Sequence, residues 1–293
     1  MKPVTVNSDH CQKPELATRY ANAANQSINV GGTVFAYRDV GPRVGVPLIL
    51  LNHWGAVLDN FDPQIIDGLA RTRRIIAINY RGIGGSGGSA PVTVAEMADD
   101  AVKMIHTMSF EKVDLLGFSL GGFVAQEIAL RTSGLVRRLI LTGTGPAGGK
   151  GIDRVGAVSW PLIIKGLFTL LDPKTYLFFT GTGDGRQAAN AFLHRLKERK
   201  KDRDKAATPI AFLRQLKAIN EWGRQAPHNL DELKIPVLIV NGDADIMVPT
   251  VNSIELARRI VNSQLIIYPD AGHGGIFQHH ADFVSKALTF LDA

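Results

Sequence analysis

The chain has 293 residues, 45% apolar and 20% charged, with a net charge of +6; that length buries a sizeable core, as one large domain or two ordinary ones. Its single cysteine, Cys11, excludes an internal disulfide and a cysteine-based metal site. The opening MKPVTVNSDHCQKPE has no apolar segment of the kind a secretory leader needs, so a cytoplasmic location is expected. Part of the positive charge is concentrated in HRLKERKKDRDK (194–205), which holds seven Lys or Arg and three Asp or Glu. Interleaved acids and the lack of aromatic residues point to the solvated face of a surface helix, with no nucleic-acid partner.

Residues 1–27 are largely polar and aperiodic and are expected to form a loose N-terminal arm. Short apolar runs follow in chain order: VFAYRDV (34–40), PLILLN (47–52), RIIAINY (74–80), VDLLGF (113–118), RLILTG (138–143), PVLIVNG (236–242) and QLIIYP (264–269). Each is rich in Ile, Leu and Val and ends in turn residues, the pattern of strands buried on both faces of a mostly parallel sheet. Helical spacing fills the gaps at 94–108, 123–132, 253–261 and 281–291. The expected class is therefore α/β, a central sheet with flanking helices.

The alternation breaks once. About ninety residues between RLILTG and PVLIVNG contain no clear strand, and VGAVSWPLIIKGLFTLL (155–171) is apolar nearly all round. Ser159, Pro161, Lys165 and Gly166 interrupt that run, which is also short for a membrane span. An inserted helical cap is expected over 146–228, with the core formed by 28–145 and 229–293. Cap residues Trp160, Leu162, Ile163, Phe168, Tyr176, Phe178 and Phe179 suit an apolar substrate group or the packing of the cap itself.

The most informative stretch is GFSLGG (117–122), between an apolar run and a helical one. A serine hydroxyl is a weak nucleophile unless it is exposed, placed beside a base and faced by donors for a developing oxyanion. A sharp strand-to-helix turn supplies the exposure, and Gly117 and Gly121 remove Cβ atoms that would collide in it. Ser119 is thus the candidate nucleophile. Among eight histidines, only His273 follows an apolar run within a short glycine-lined loop, AGHGG. Asp243 and Asp245, in GDADIMVP after another run, are the candidate acids.

These motifs, together with YRGIGGSGG (80–88), resemble the α/β-hydrolase superfamily over residues 28–291, specifically capped serine esterases and cofactor-free haloperoxidase-like members. The order Ser, Asp, His is that family's order. Its Gly-x-x-Asp pattern, counted from Gly242, selects Asp245 over Asp243. The resemblance implies an oxyanion hole from the N–H groups of Leu120 and of a residue in NHWGAVLDNF, where the Trp54 to Phe61 spacing favours Trp54 and the other alignment gives Gly55. His53, Gly55, Phe118, Trp160 and Phe178 are the candidate substrate-binding residues. The expected activity is hydrolysis of a small to medium, largely apolar carboxylic ester or lactone through an acyl-enzyme. Hydrolysis of a carbon–carbon bond in a diketone, or a non-catalytic receptor for a small molecule, are the alternatives. No metal or organic cofactor is expected, and homo-oligomerisation is left open.

Overall fold

The computed structural model describes residues 19–293. The first strands among the described residues form a hairpin, β1 (Gln26–Val30) and β2 (Thr33–Val40), whose two-residue turn is Gly31-Gly32, both at positive φ. There follow β3 (Leu48–Leu51), α1 (Pro63–Leu69), β4 (Ile75–Ile78), α2 (Val94–Thr107), β5 (Val113–Phe118), α3 (Leu120–Arg131) and β6 (Val136–Thr142). After a helical excursion the chain returns through β7 (Val237–Gly242), α8 (Val251–Arg259), β8 (Ser263–Tyr268), α9 (Gly275–Gln278) and α10 (His280–Asp292).

The strands form one eight-stranded sheet in the order β1-β2-β4-β3-β5-β6-β7-β8. β1, β2 and β4 pair antiparallel, and every pairing from β4 to β8 is parallel. β3, β4, β5 and β7 are buried along their whole length, which is why they read as unbroken apolar runs. The edge strand β1 alternates exposed and half-buried residues and carries Gln26, Ser27 and Asn29, so it escapes a search for apolar runs. From β3 the chain goes first to β4 on one side and then, after α2, to β5 on the other. That reversal opens a crevice at the carboxyl ends of β3 and β5, where ligands bind in open α/β sheets.

Four helices occupy the excursion: α4 (Val155–Thr169), α5 (Lys174–Phe178), α6 (Gly183–Arg195) and α7 (Pro209–Arg224). The basic stretch that closes α6 does not behave as a wholly solvated face. Lys197, Lys200, Lys201, Arg203 and Lys205 are exposed, but Arg199 is buried and donates to the Ala21 and Ala23 carbonyls at 3.2 and 2.7 Å. Arg195 forms a forked pair with Asp62, whose side chain is fully buried. These arginines turn inward because two acids of the core, Asp59 and Asp62, lie beneath them.

Part of the segment 1–27, expected to be a loose arm, packs on the core. Residues 1–18, Cys11 included, lie outside the described residues. Tyr20 is buried and its hydroxyl donates to the Leu58 carbonyl at 2.7 Å, while its N–H donates to Asp67 at 2.6 Å. An aromatic ring with a satisfied hydroxyl anchors this segment to the core.

Candidate active site

Ser119 sits between the last residue of β5 and the first of α3, at φ 56° and ψ −118°. A side chain other than glycine in this region is strained by about 1–3 kcal/mol and persists only where its surroundings enforce it. Here they do. The Ser119 N–H donates to the Thr142 carbonyl at 2.9 Å, and the Ser119 carbonyl accepts from the Thr144 hydroxyl at 2.9 Å and the Gly122 N–H at 2.8 Å. Two glycines make the turn possible. A Cβ on Gly117 would stand 2.3 Å from the Gly121 carbonyl oxygen, and one on Gly121 would stand 1.9 Å from that of Leu51. The second contact also brings the end of β3 against the serine turn.

His273 lies on the loop between β8 and α9. Its Nδ1 is 2.8 Å from Asp245 Oδ2, with both side chains fully buried. The other oxygen of Asp245 accepts the Met247 and Val248 N–H groups at 2.8 and 2.9 Å, which fixes the carboxylate before it meets the imidazole. Asp243 is exposed and instead braces the loop, its carboxylate accepting the Ala271 N–H at 3.2 Å. His273 Nε2 is buried with no hydrogen-bond partner among the described residues, and His273 and Ser119 line one cavity of about 250 Å³.

The remaining walls are His53, Trp54 and Gly55 after β3, Asn60, Met247, and Ile163, Asp172, Pro173, Lys174, Leu177, Phe178 and Phe212 from the excursion. The Lys174 ammonium is 3.3 Å from an Asp172 oxygen, so the charge it brings is matched on the spot. The Gly55 N–H is committed to Gln215 Oε1 at 2.8 Å. The N–H groups of Leu120 and Trp54 have no acceptor among the described residues.

Three aromatic candidates take other places. Phe118 is buried behind the wall, its ring 5.0 Å from that of His273, 5.4 Å from His53 and 5.7 Å from Phe178, where it spaces the two imidazoles. Trp160 packs edge-on against Trp54 and faces a neighbouring hollow rather than the serine cavity, because the stacked rings of Trp54 and Phe212 stand against it. Phe168 is 86% exposed. Phe178 does line the cavity, and its carbonyl accepts the Gly274 N–H at 2.8 Å, tying α5 to the histidine loop.

Sequence reasoning missed Phe212, Gln215 and Lys174. For Gln215 a signal existed: it falls among Ala211, Ala218, Ile219 and Trp222 on the buried stripe of α7, where a lone amide needs a partner. Nothing in the spacing marked Lys174. Among the described residues, no group of three His, Cys, Asp or Glu side chains could hold a metal ion, and no helix is long and apolar enough to cross a membrane.

Comparison with known proteins agrees with this architecture. An alpha/beta hydrolase fold protein from Chitinophaga pinensis superimposes with a TM-score of 0.89 at 37% identity, covering 94% of this chain and all of the other. A 2-hydroxy-6-oxo-6-(2'-aminophenyl)hexa-2,4-dienoic acid hydrolase from Metapseudomonas resinovorans is 27% identical over 90% of this chain and 89% of its own. A pimeloyl-[acyl-carrier protein] methyl ester esterase from Neisseria meningitidis is 28% identical over 83% of this chain and 76% of its own. The sequence pattern of the alpha/beta hydrolase fold matches residues 46–280, and the chain belongs to that family.

Proposed function

We propose that the protein is a serine hydrolase that cleaves a small to medium, largely apolar carboxylic ester or lactone. The observation that carries this reading is the strained Ser119 turn opening into the same cavity as the Asp245-braced imidazole. The two curated relatives carry hydrolase names, one of them for a methyl ester. Apolar walls and a paired lysine suit an uncharged substrate, and a cavity of about 250 Å³ suits a modest one.

The steps follow from the residues. Asp245 accepts from Nδ1–H of His273 and so leaves the Nε2 lone pair free for the proton of Ser119. Ser119 Oγ makes no hydrogen bond to Nε2 as the side chains stand; the mechanism requires this contact to close when substrate enters, as is common for catalytic hydrogen bonds. Oγ attacks the carbonyl carbon while Nε2 takes its proton. The negative oxygen is held by the Leu120 and Trp54 N–H groups, each such donor being worth about 2.7–4 kcal/mol. The imidazolium gives its proton to the departing alcohol, leaving an acyl-serine. Water, deprotonated by the same Nε2, releases the acid and restores the hydroxyl.

Gly55 is a poorer second donor than Trp54 because Gln215 already occupies its N–H. The test is a panel of p-nitrophenyl esters of graded acyl length, lactones and diketones. Hydrolysis of esters or lactones by the wild type, absent in a folded Ser119→Ala protein, supports the reading. Turnover of diketones alone replaces it with carbon–carbon bond hydrolysis, and binding without turnover replaces it with a receptor.

A further inference from the structure

One buried polar side chain of the cavity lining is not used by the triad. His53 follows β3 and is buried, its ring set edge-to-face against Phe118 and Phe178 at 5.4 and 5.2 Å. Its Nδ1 lies 3.0 Å from the Trp54 carbonyl oxygen. A carbonyl only accepts, so Nδ1 carries the proton and Nε2 is left as a lone-pair acceptor. Nε2 is buried and has no donor among the described residues. Burial, reinforced by the nearby Lys174 charge, lowers the His53 pKa to about 3, so the ring stays neutral at ordinary pH and cannot turn this acceptor into a donor. The Asn60 amide oxygen in the same wall is already engaged, accepting the Val57 N–H at 2.8 Å.

We propose that His53 is a substrate-orienting residue whose Nε2 accepts a hydrogen bond from a hydroxyl or N–H group of the substrate, so that the pocket selects hydroxy- or amido-substituted esters over plain ones. This rests on the ester-hydrolase reading and narrows its substrate class. An acceptor held dry in an apolar wall is left unpaired by a plain alkyl ester and satisfied by one carrying a donor, and sites of that kind discriminate strongly. The rival role is structural: Nδ1–H bonded to the Trp54 carbonyl steadies the loop that bears the oxyanion donor. The two nitrogens separate these roles. Asparagine can place an amide N–H where Nδ1 stands but has nothing at Nε2, whereas glutamine can reach the Nε2 position.

Matched pairs test it: p-nitrophenyl β-hydroxybutanoate against its O-methyl ether, p-nitrophenyl N-acetylglycinate against its N-methyl form, and an ethylene glycol monoester against its methyl ether. The first pair probes a hydroxyl, the second an N–H, and the third the alcohol side. The wild type is expected to favour the donor-bearing member of at least one pair by about tenfold or more in kcat/KM. His53→Gln is expected to keep that ratio and His53→Asn to bring it close to one. No preference in the wild type, or a preference untouched by His53→Asn, overturns the proposal. Should the variants not fold, ¹⁵N resonances of the His53 imidazole in Ser119→Ala give a second reading. Saturation with the hydroxylated ester is expected to shift Nε2 and not Nδ1, and an unmoved Nε2 overturns the proposal. A wild type that cleaves esters without preference loses only this inference. One that cleaves none loses the esterase reading, while the resonance measurement still reports on His53.

Discussion

The excursion between β6 and β7 has two sides that face opposite conditions. On one, α5 and α6 are pinned: Arg195 forks onto buried Asp62, Arg199 just beyond α6 reaches the Ala21 and Ala23 carbonyls, and the Phe178 carbonyl holds the histidine loop. On the other, the end of α4 presents Leu167, Phe168 and Leu170 at 71%, 86% and 92% exposure. The more polar α6 is thus held against the core, while the strongly apolar α4 leaves its end in solvent. The pinned side shapes the cavity and holds His273 in place, whereas the α4 end touches no part of the triad. The anchored contacts thus lie where the proposed mechanism needs the imidazole aimed, as a preorganised site requires.

That contrast breaks in stages. The largest effect is expected at the serine turn, where Gly121→Val drives a side chain into the Leu51 carbonyl. No relaxation of a flexible neighbour can relieve a clash with backbone, so loss of more than about 4 kcal/mol is expected, read as loss of the cooperative melting transition. Next comes Asp245→Asn. The fold should survive, because the amide oxygen still accepts from Met247 and Val248, but the Nδ1 proton loses its carboxylate. A fall of about 10⁴ in kcat is expected, measured on the best ester of the panel.

The pinned side is tested by Arg195→Ala, which leaves Asp62 buried and short of its partner. A loss of about 3–5 kcal/mol is expected from urea unfolding, with a rise in KM as α5 and α6 loosen. Arg195→Lys should recover part of it, since one ammonium cannot reproduce the fork. At the exposed end, Phe168→Ser is expected to change stability by no more than about 0.5 kcal/mol and to leave kcat/KM unaltered. A large effect there would mean that the two sides do not differ as described.

His53 adds a dependence on pH. Its folded pKa is about 3, below the ordinary value of 6.5, so at acid pH the unfolded chain binds a proton that the folded chain refuses. Its contribution is complete above about pH 6.5 and is lost as pH falls toward 3, with a slope of about 1.4 kcal/mol per pH unit. Stability measured by denaturation from pH 7 to pH 4 should fall less steeply in His53→Phe than in the wild type.

How much of this was legible depended on the range of the interaction. The buried strands announced themselves because both faces of β3, β4, β5 and β7 need apolar side chains. As candidates, Ser119 and Asp245 stood out because each sits on a loop directly after such a strand, and His273 because its loop after the half-exposed β8 is lined with glycines where the backbone is crowded. β1 was not found: an edge strand pairs on one side only and tolerates Gln26, Ser27 and Asn29, and the one local signal, the Gly31-Gly32 pair, was not read. The inward arginines were invisible for a different reason. Arg195 and Asp62 stand 133 residues apart, and a local run of charges says nothing about which members find a buried acid. Likewise, Trp160 and Phe178 look alike in sequence, and only packing puts one in the serine cavity and the other outside it.

The proposed hydrolysis depends on Ser119 as the attacking group. Treatment with a fluorophosphonate probe, followed by peptide mass spectrometry, tests that most directly. Stoichiometric phosphonylation of the Ser119 peptide in step with loss of ester hydrolysis, and no labelling of a folded His273→Ala protein on the same time scale, is the expected result. Hydrolysis that persists with Ser119 unlabelled, or inactivation that maps to another residue, would contradict it.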